Sequence, residues 1–133
     1  MSWIYLAAAV LCLAGPALTQ DPLPSVLRLP TFISPVNYII QLKPDMANKT
    51  VNGTVMITLL TSNNQTESFN SITLHLGVDV TLDETNIILL DTSGLVVPIG
   101  AIEYDDANTL IKVKLREEEK LKSNEMYMIT FHF

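Results

Sequence analysis

Alternation of apolar and polar residues runs through most of the chain and predicts β-strands. The clearest case is the stretch from Ile72 to Leu76, in which every second residue is large and apolar. A period of two is typical of a strand that buries one face and exposes the other. On this ground we predict strands over 36–43, 51–60, 72–76, 78–82, 86–90, 109–115 and 126–133.

The predicted strand 51–60 shows both a clear pattern and an ambiguity. Its apolar face carries Val51, Val55, Ile57 and Leu59, and its other face carries Thr54 and Thr58. Within it, Asn52-Gly53 is a dipeptide that often forms the tight turn of a hairpin. The alternation continues through this dipeptide, however, which favours a strand that carries a glycine at a bulge.

Turn-forming residues separate the predicted strands. They occur at Asn63-Asn64, at Ser93-Gly94 and over 105–108, where aspartate, alanine and asparagine follow one another. The one helix candidate, Arg116 to Lys122, is poor because three consecutive glutamates in it repel each other. We therefore expect an all-β fold of antiparallel strands with short connections.

The start of the chain differs from the rest because it contains an unbroken apolar run of about a dozen residues that ends at Ala14. Its length is that of the core of a secretory signal peptide, and a membrane-spanning helix needs about 20 residues. Small residues follow, so we predict a signal peptide over 1–19 with cleavage after Ala17 or Thr19; an uncleaved anchor and a buried helix are the alternatives. Cleavage would remove Cys12, the only cysteine. Four prolines then predict an extended lead-in over 20–35.

Composition excludes several classes of function. Eight Lys and Arg against fourteen Asp and Glu give a net charge of −6. A nucleic-acid-binding protein would show a basic patch, so we expect no nucleic-acid partner. A single cysteine excludes an internal disulfide framework and a thiolate zinc finger.

Candidate catalytic or metal-binding groups are few. The two histidines, His75 and His132, are far apart, and neither begins a His-Glu-x-x-His run. We interpret His75 as a half-exposed strand residue and expect His132 to face solvent. Asp105-Asp106 is interpreted as part of a turn, and Glu117 to Glu119 as a solvated charged run. These residues suggest neither a catalytic nor a metal site in this chain, and we expect it to carry no cofactor.

Three asparagines match the acceptor pattern for N-linked glycosylation. They are Asn48, Asn52 and Asn64, each followed two residues later by threonine. Asn64 lies in the most turn-like segment and is the best candidate. A glycan at Asn48 would hinder a second one at Asn52, because the two are close in sequence.

A longer set of residues resembles the start of the zinc aminopeptidases of the aminopeptidase N family. Arg28-Leu29-Pro30 and the line from Ser34 to Pro44 are similar to the opening of their ectodomains. The later strands resemble those of the family in order and spacing, namely Val51 to Ile57, Ile72 to His75, Val78 to Val80, Leu110 to Leu115 and Tyr127 to Phe131. Asn124 stands where the family usually has a glycine, and asparagine tolerates such a turn better than most residues.

The resemblance implies that 36–133 is a saddle-like, sandwich-like antiparallel N-terminal β domain that is incomplete at its C-terminal end. In the family a following catalytic domain supplies zinc, a His-Glu-x-x-His helix and a Gly-x-Met-Glu-Asn segment that holds the substrate's amine. None of these occurs here, so no catalytic, metal or substrate-binding residue is assigned to this chain. The implied partners are the rest of the aminopeptidase and, through it, peptides. The implied location is extracellular or on the outer face of the plasma membrane, where attachment would need a C-terminal anchor that this chain lacks.

Three hypotheses about function follow. The first is that the chain is the front of a zinc aminopeptidase, is inactive alone and is cut off within its last predicted strand, which would expose an apolar edge. The second is a short secreted, glycosylated β module that binds the partners of such an enzyme as a decoy. The third, an immunoglobulin-like sandwich, is disfavoured because the chain lacks a cysteine pair.

Overall fold

The computed structural model describes residues 29–63 and 69–133, and in this part of the chain the regular structure is almost entirely β. One 3₁₀ turn, Glu84–Asn86, interrupts the strands. The strands are β1 (Ile33–Asp45), β2 (Thr50–Thr61), β3 (Ser71–His75), β4 (Ile88–Leu90), β5 (Ile99–Asp105), β6 (Leu110–Leu115) and β7 (Met126–His132). The predicted signal peptide with Cys12, Ala17 and Thr19, most of the lead-in, and Asn64 lie outside the described residues.

The strands form two antiparallel sheets. One sheet has the order β1-β2-β7-β4 and the other has the order β3-β6-β5. Every pairing between these strands is antiparallel. The prediction of an all-β, antiparallel, sandwich-like fold is therefore confirmed.

The hydrophobic core lies between the two sheets. Strands β2, β4 and β7 contribute from one side, and β3 and β6 from the other. The buried apolar residues are Ile57, Leu59, Phe69, Ile72, Leu89, Ile111, Val113, Leu115, Leu121, Tyr127, Ile129 and Phe131. Along β2, β6 and β7 the buried residues alternate, as a sheet with one buried face requires.

One end of the core is closed by a buried threonine and a tyrosine. The hydroxyl of Thr61 donates to the carbonyl of Lys122 at 2.6 Å and accepts from the amide of Glu125 at 3.0 Å. The hydroxyl of Tyr127 accepts from the amide of Lys122 at 2.8 Å. These bonds satisfy backbone groups of the loop that leads into β7, so a polar side chain is tolerated in the core.

Two hairpins of this fold end in the same kind of turn. Asp45-Met46-Ala47-Asn48-Lys49 joins β1 to β2, and Asp105-Asp106-Ala107-Asn108-Thr109 joins β5 to β6. In each, the aspartate carboxylate accepts from the amide and the side chain of the asparagine three residues later. Lys49 and Thr109 then adopt a left-handed conformation, each with φ of 54°. The interpretation of Asp105-Asp106 as part of a turn is confirmed.

Asn52-Gly53 lies inside β2, so the strand interpretation of this dipeptide is correct and the hairpin interpretation is wrong. The bulge expected at Gly53 is absent, because the β1–β2 register is regular there; the register of this ladder shifts between Pro35 and Asn37 of β1. Strand β1 starts at Ile33, within the predicted lead-in, because an edge strand accepts a proline that a central strand would not.

Two predicted strands are shorter or absent. Over 78–82 no strand forms; Val78-Asp79 is a turn, in which the amide of Val80 donates to the carbonyl of Gly77. Over 86–90 only Ile88–Leu90 is a strand, since the 3₁₀ turn occupies the preceding residues. In both places the alternation is genuine but too short to outweigh the turn residues around it.

One strand was not predicted. In β5 the sequence Ile99-Gly100-Ala101 breaks the alternation, and the register of pairing with β6 shifts at the same place. The glycine lies against the backbone of Leu115, where an added Cβ would come within 2.9 Å of the carbonyl oxygen. The poor helix candidate Arg116 to Lys122 forms no helix.

Candidate functional site

The predicted glycosylation sites that the structure describes lie on the β1–β2 hairpin. Asn48 is exposed in the turn, although its Nδ2, the atom that would carry a glycan, donates to Asp45 at 2.8 Å. Asn52 is exposed on β2, opposite Lys43 of β1. The two side chains therefore share one hairpin.

The remaining predicted candidates do not come together. His75 is exposed at the end of β3, and Glu117 and Glu118 are exposed in a turn. His132 is only half-buried on β7 rather than facing solvent, which corrects the expectation for this residue. In the described residues, no group of three or more His, Cys, Asp or Glu is placed to hold a metal ion.

His132 instead belongs to a cleft of about 700 Å³ at one end of the first sheet, lined by both polar and apolar residues. Its Nδ1 lies 3.0 Å from the hydroxyl of Thr54 on the neighbouring strand β2. Its carbonyl accepts from the amide of Asp83 at 2.8 Å. Sequence reasoning missed this group, because Thr54 and His132 are 78 residues apart and only the β2–β7 register joins them.

The carboxylate of Asp83 is used within its own turn. It accepts from the hydroxyl of Thr85 at 2.6 Å and from the side chain of Asn86 at 2.5 Å, and it caps the 3₁₀ turn. These hydrogen bonds, with a smaller contribution from His132, hold the pKa of Asp83 below its ordinary value. The carboxylate of Asp83 is engaged in its own turn, and the Thr54–His132 pair joins β2 to β7.

A second feature is an apolar stripe on β1 and the adjoining start of β2 that the described part of the chain leaves about half exposed. Tyr38 lies opposite Ile57 and Ile40 opposite Val55, so these β1 side chains are on the core-facing side of the sheet. We define the inner-face stripe as Tyr38, Ile40, Leu42 and Val51, which are 52%, 59%, 62% and 51% exposed. The three-stranded sheet covers them only in part, because Tyr38 lines a cavity beside Leu74 of β3 and is still half exposed.

The same strand leaves one backbone edge unpaired in the described structure, since β1 is the first strand of its sheet. Gly53 exchanges both of its backbone hydrogen bonds with Phe133, at 2.6 and 2.9 Å, and so points away from β1. Its β1 partner Leu42 is thus in a non-hydrogen-bonded pair, and by alternation so are Ile40 and Tyr38. The N–H and C=O groups of these three residues point outward from the sheet.

Beside the stripe, an apolar cavity of about 370 Å³ opens between the two sheets. Tyr38, Val55, Leu74 and Phe131 are among its lining residues. The stripe, the open edge of β1 and this cavity lie along the same side of the sandwich, and together they are the surface best suited to binding. Among the described residues, no helix has the length and apolar character to cross a membrane.

No protein-family model matches this chain, and no curated protein matches it.

Proposed function

We propose that this chain is the front part of the N-terminal β domain of an extracellular zinc aminopeptidase. In this proposal it contributes scaffold rather than chemistry. Zinc, the general base and the amine-binding segment belong to a catalytic domain that follows, where a zinc-activated water would remove N-terminal residues from peptides.

The observation that carries the proposal concerns Gly53, the glycine of the family-like line Val51 to Ile57. A Cβ at this position would meet the Cζ of Phe133 at 2.6 Å and the carbonyl oxygen of Gln41 at 2.9 Å. Glycine is therefore required at position 53 by contacts with β1 and with the residue that follows β7. Both of these strands contain segments that resemble the aminopeptidase family. Asn124 adds support, because its φ of 57° is a left-handed conformation. Glycine adopts this conformation most easily, which explains why the family usually has glycine at this position.

The decisive experiment reads the transcript through and beyond the codon for Phe133. We expect the frame to continue into Gly-x-Met-Glu-Asn and His-Glu-x-x-His. The longer product should then hydrolyse aminoacyl substrates in a zinc-dependent manner, while the 133-residue chain, as matched control, should not. A stop codon directly after Phe133 would overturn the proposal.

The inner-face stripe favours a second candidate, a short secreted and glycosylated module that works by binding. Exposed apolar side chains on one side of a small domain are typical of interaction surfaces. This candidate requires the stop codon that the first excludes, and it requires the product outside the cell. Intact mass before and after removal of N-glycans, with Asn48→Gln, Asn52→Gln and Asn64→Gln variants, would show which sites are occupied; an absence of glycan and of secretion would contradict it.

A further inference from the structure

We propose that the 133-residue chain forms a symmetric dimer in which β1 pairs with β1 of a second copy, antiparallel, about a twofold axis at Ile40. The two four-stranded sheets would become one continuous sheet. This inference is independent of the proposed enzyme, since it rests on the edge of β1 and not on the family-like residues.

The backbone of β1 supplies the hydrogen-bonding groups. The N–H and C=O groups of Tyr38, Ile40 and Leu42 point away from β2, for the reason given by the Gly53–Phe133 bonds. In a pairing centred on Ile40, Ile40 lies opposite its own copy and Tyr38 lies opposite Leu42. Both are then hydrogen-bonded pairs, so the outward groups of each strand find partners on the other.

The side chains of the same three residues supply the apolar contact. They all lie on the core-facing side of the sheet and are more than half exposed in the single chain. Across the axis, Ile40 would contact Ile40, and the ring of Tyr38 would contact Leu42. Cross-strand pairs of aromatic and branched apolar residues stabilise antiparallel sheets.

Charge favours a second copy over an unrelated charged segment. Between Ser34 and Leu42 the strand carries no charged residue, and its only charges are Lys43 and Asp45. In the centred register Lys43 lies opposite Asn37, and Asp45 lies opposite Pro35, so no like charges meet.

The ends of β1 set the extent of the pairing. Pro44 has no N–H to donate, and the bulge between Pro35 and Asn37 ends the regular register on the other side. Self-pairing is thus confined to 37–43, where the outward backbone groups lack partners among the described strands and the side chains are mostly apolar. Both limits are three residues from Ile40, so two copies of this segment can pair over its whole length about a twofold axis at Ile40.

The test uses the full chain in three forms: unchanged, Ile40→Lys and Ile40→Glu. Sedimentation velocity over a concentration series should show a dimer for the unchanged chain. Each variant alone should dimerise about a hundredfold more weakly, because two apolar side chains are lost and two like charges meet on the axis. An equimolar mixture of the two variants should regain the dimer, since lysine then lies opposite glutamate.

Ile39→Lys is the matched control, since Ile39 is the neighbouring residue, 46% exposed, with its side chain on the opposite face. It should weaken the dimer about threefold or less. Circular dichroism checks that each variant keeps the β fold. A monomeric unchanged chain, a mixture that stays monomeric, or equal losses for Ile39→Lys and Ile40→Lys would each overturn the proposal.

Discussion

Two isoleucines of the same sheet define two regions of this molecule. Ile129 at the centre of β7 is 0% exposed, while Ile40 on β1 is 59% exposed. Both side chains are on the core-facing side, yet only β2, β7 and β4 are covered by the second sheet. The alternation in the sequence marks a face as apolar, but the width of the opposing sheet decides whether that face is buried.

The largest expected effect comes from removing side chains in the two regions. Ile129→Ala should lower the free energy of unfolding by about 2–5 kcal/mol, because it opens a cavity in a filled core. Ile40→Ala on β1, whose side chain is on the same core-facing side but 59% exposed, should cost less than about 1 kcal/mol. Urea unfolding at a single low protein concentration measures both. Similar losses would show that β1 contributes to the core as much as β7 does.

Gly53 joins the two regions, since β2 lies between β1 and β7. Gly53→Ala should destabilise the fold by about 1–3 kcal/mol, because its Cβ would overlap the ring of Phe133 and the backbone of Gln41. Thermal unfolding gives the shift in midpoint. Gly77→Ala is the control, as the nearest atom to its Cβ is 3.6 Å away; an equal shift there would contradict the steric explanation.

The β1–β2 and β5–β6 turns have the same conformation, so matched substitutions in them compare the stability of the two hairpins. Lys49→Gly and Thr109→Gly each relieve a left-handed residue, so each should raise the free energy of unfolding by about 0.5–1 kcal/mol. Equal gains in urea unfolding are expected if both hairpins unfold with the core. A gain for Thr109→Gly alone would mean that the β1–β2 hairpin opens separately.

The smallest effect is a dependence on pH. Hydrogen bonds from Asn48 lower the pKa of Asp45, and those from Thr85 and Asn86 lower the pKa of Asp83. A lowered folded pKa adds stability above the ordinary value of 3.8, which is lost as the pH falls through the folded pKa. Unfolding measured at decreasing pH should show this loss, and Asp45→Asn and Asp83→Asn should each reduce it. Unchanged slopes in both variants would contradict this assignment.

The sequence predicts the fold class and the core strands well because alternation is a local signal. Strands 51–60, 72–76, 109–115 and 126–133 all appear, and their apolar faces form most of the core. The prediction fails where local signals conflict. Gly100 interrupts the alternation in β5, so this strand was not predicted, and turn residues override the short alternation at Val78 to Leu82. The resemblance to aminopeptidases stays a prediction.

The candidate surface could not be predicted in the same way. Tyr38, Ile40 and Leu42 have the pattern of buried residues, yet they lie on the edge strand of a four-stranded sheet that faces a three-stranded one, and they are more than half exposed. The Thr54–His132 pair likewise depends on the register of strands that are far apart in sequence. Such features depend on the order and register of the strands, which the alternation of apolar and polar residues does not specify.

The order of strands in the first sheet also fixes when the protein can fold during synthesis. Strand β2 ends at Thr61, but its inner neighbour β7 begins only at Met126. Since the central ladder pairs strands so distant in the chain, the sheet cannot close until the ribosome has made β7. If the predicted signal peptide directs secretion, Asn48 and Asn52 would enter the secretory compartment before that moment, on a hairpin that still lacks its central partner. Any glycosyltransferase would meet them on a nascent chain rather than on a finished sandwich.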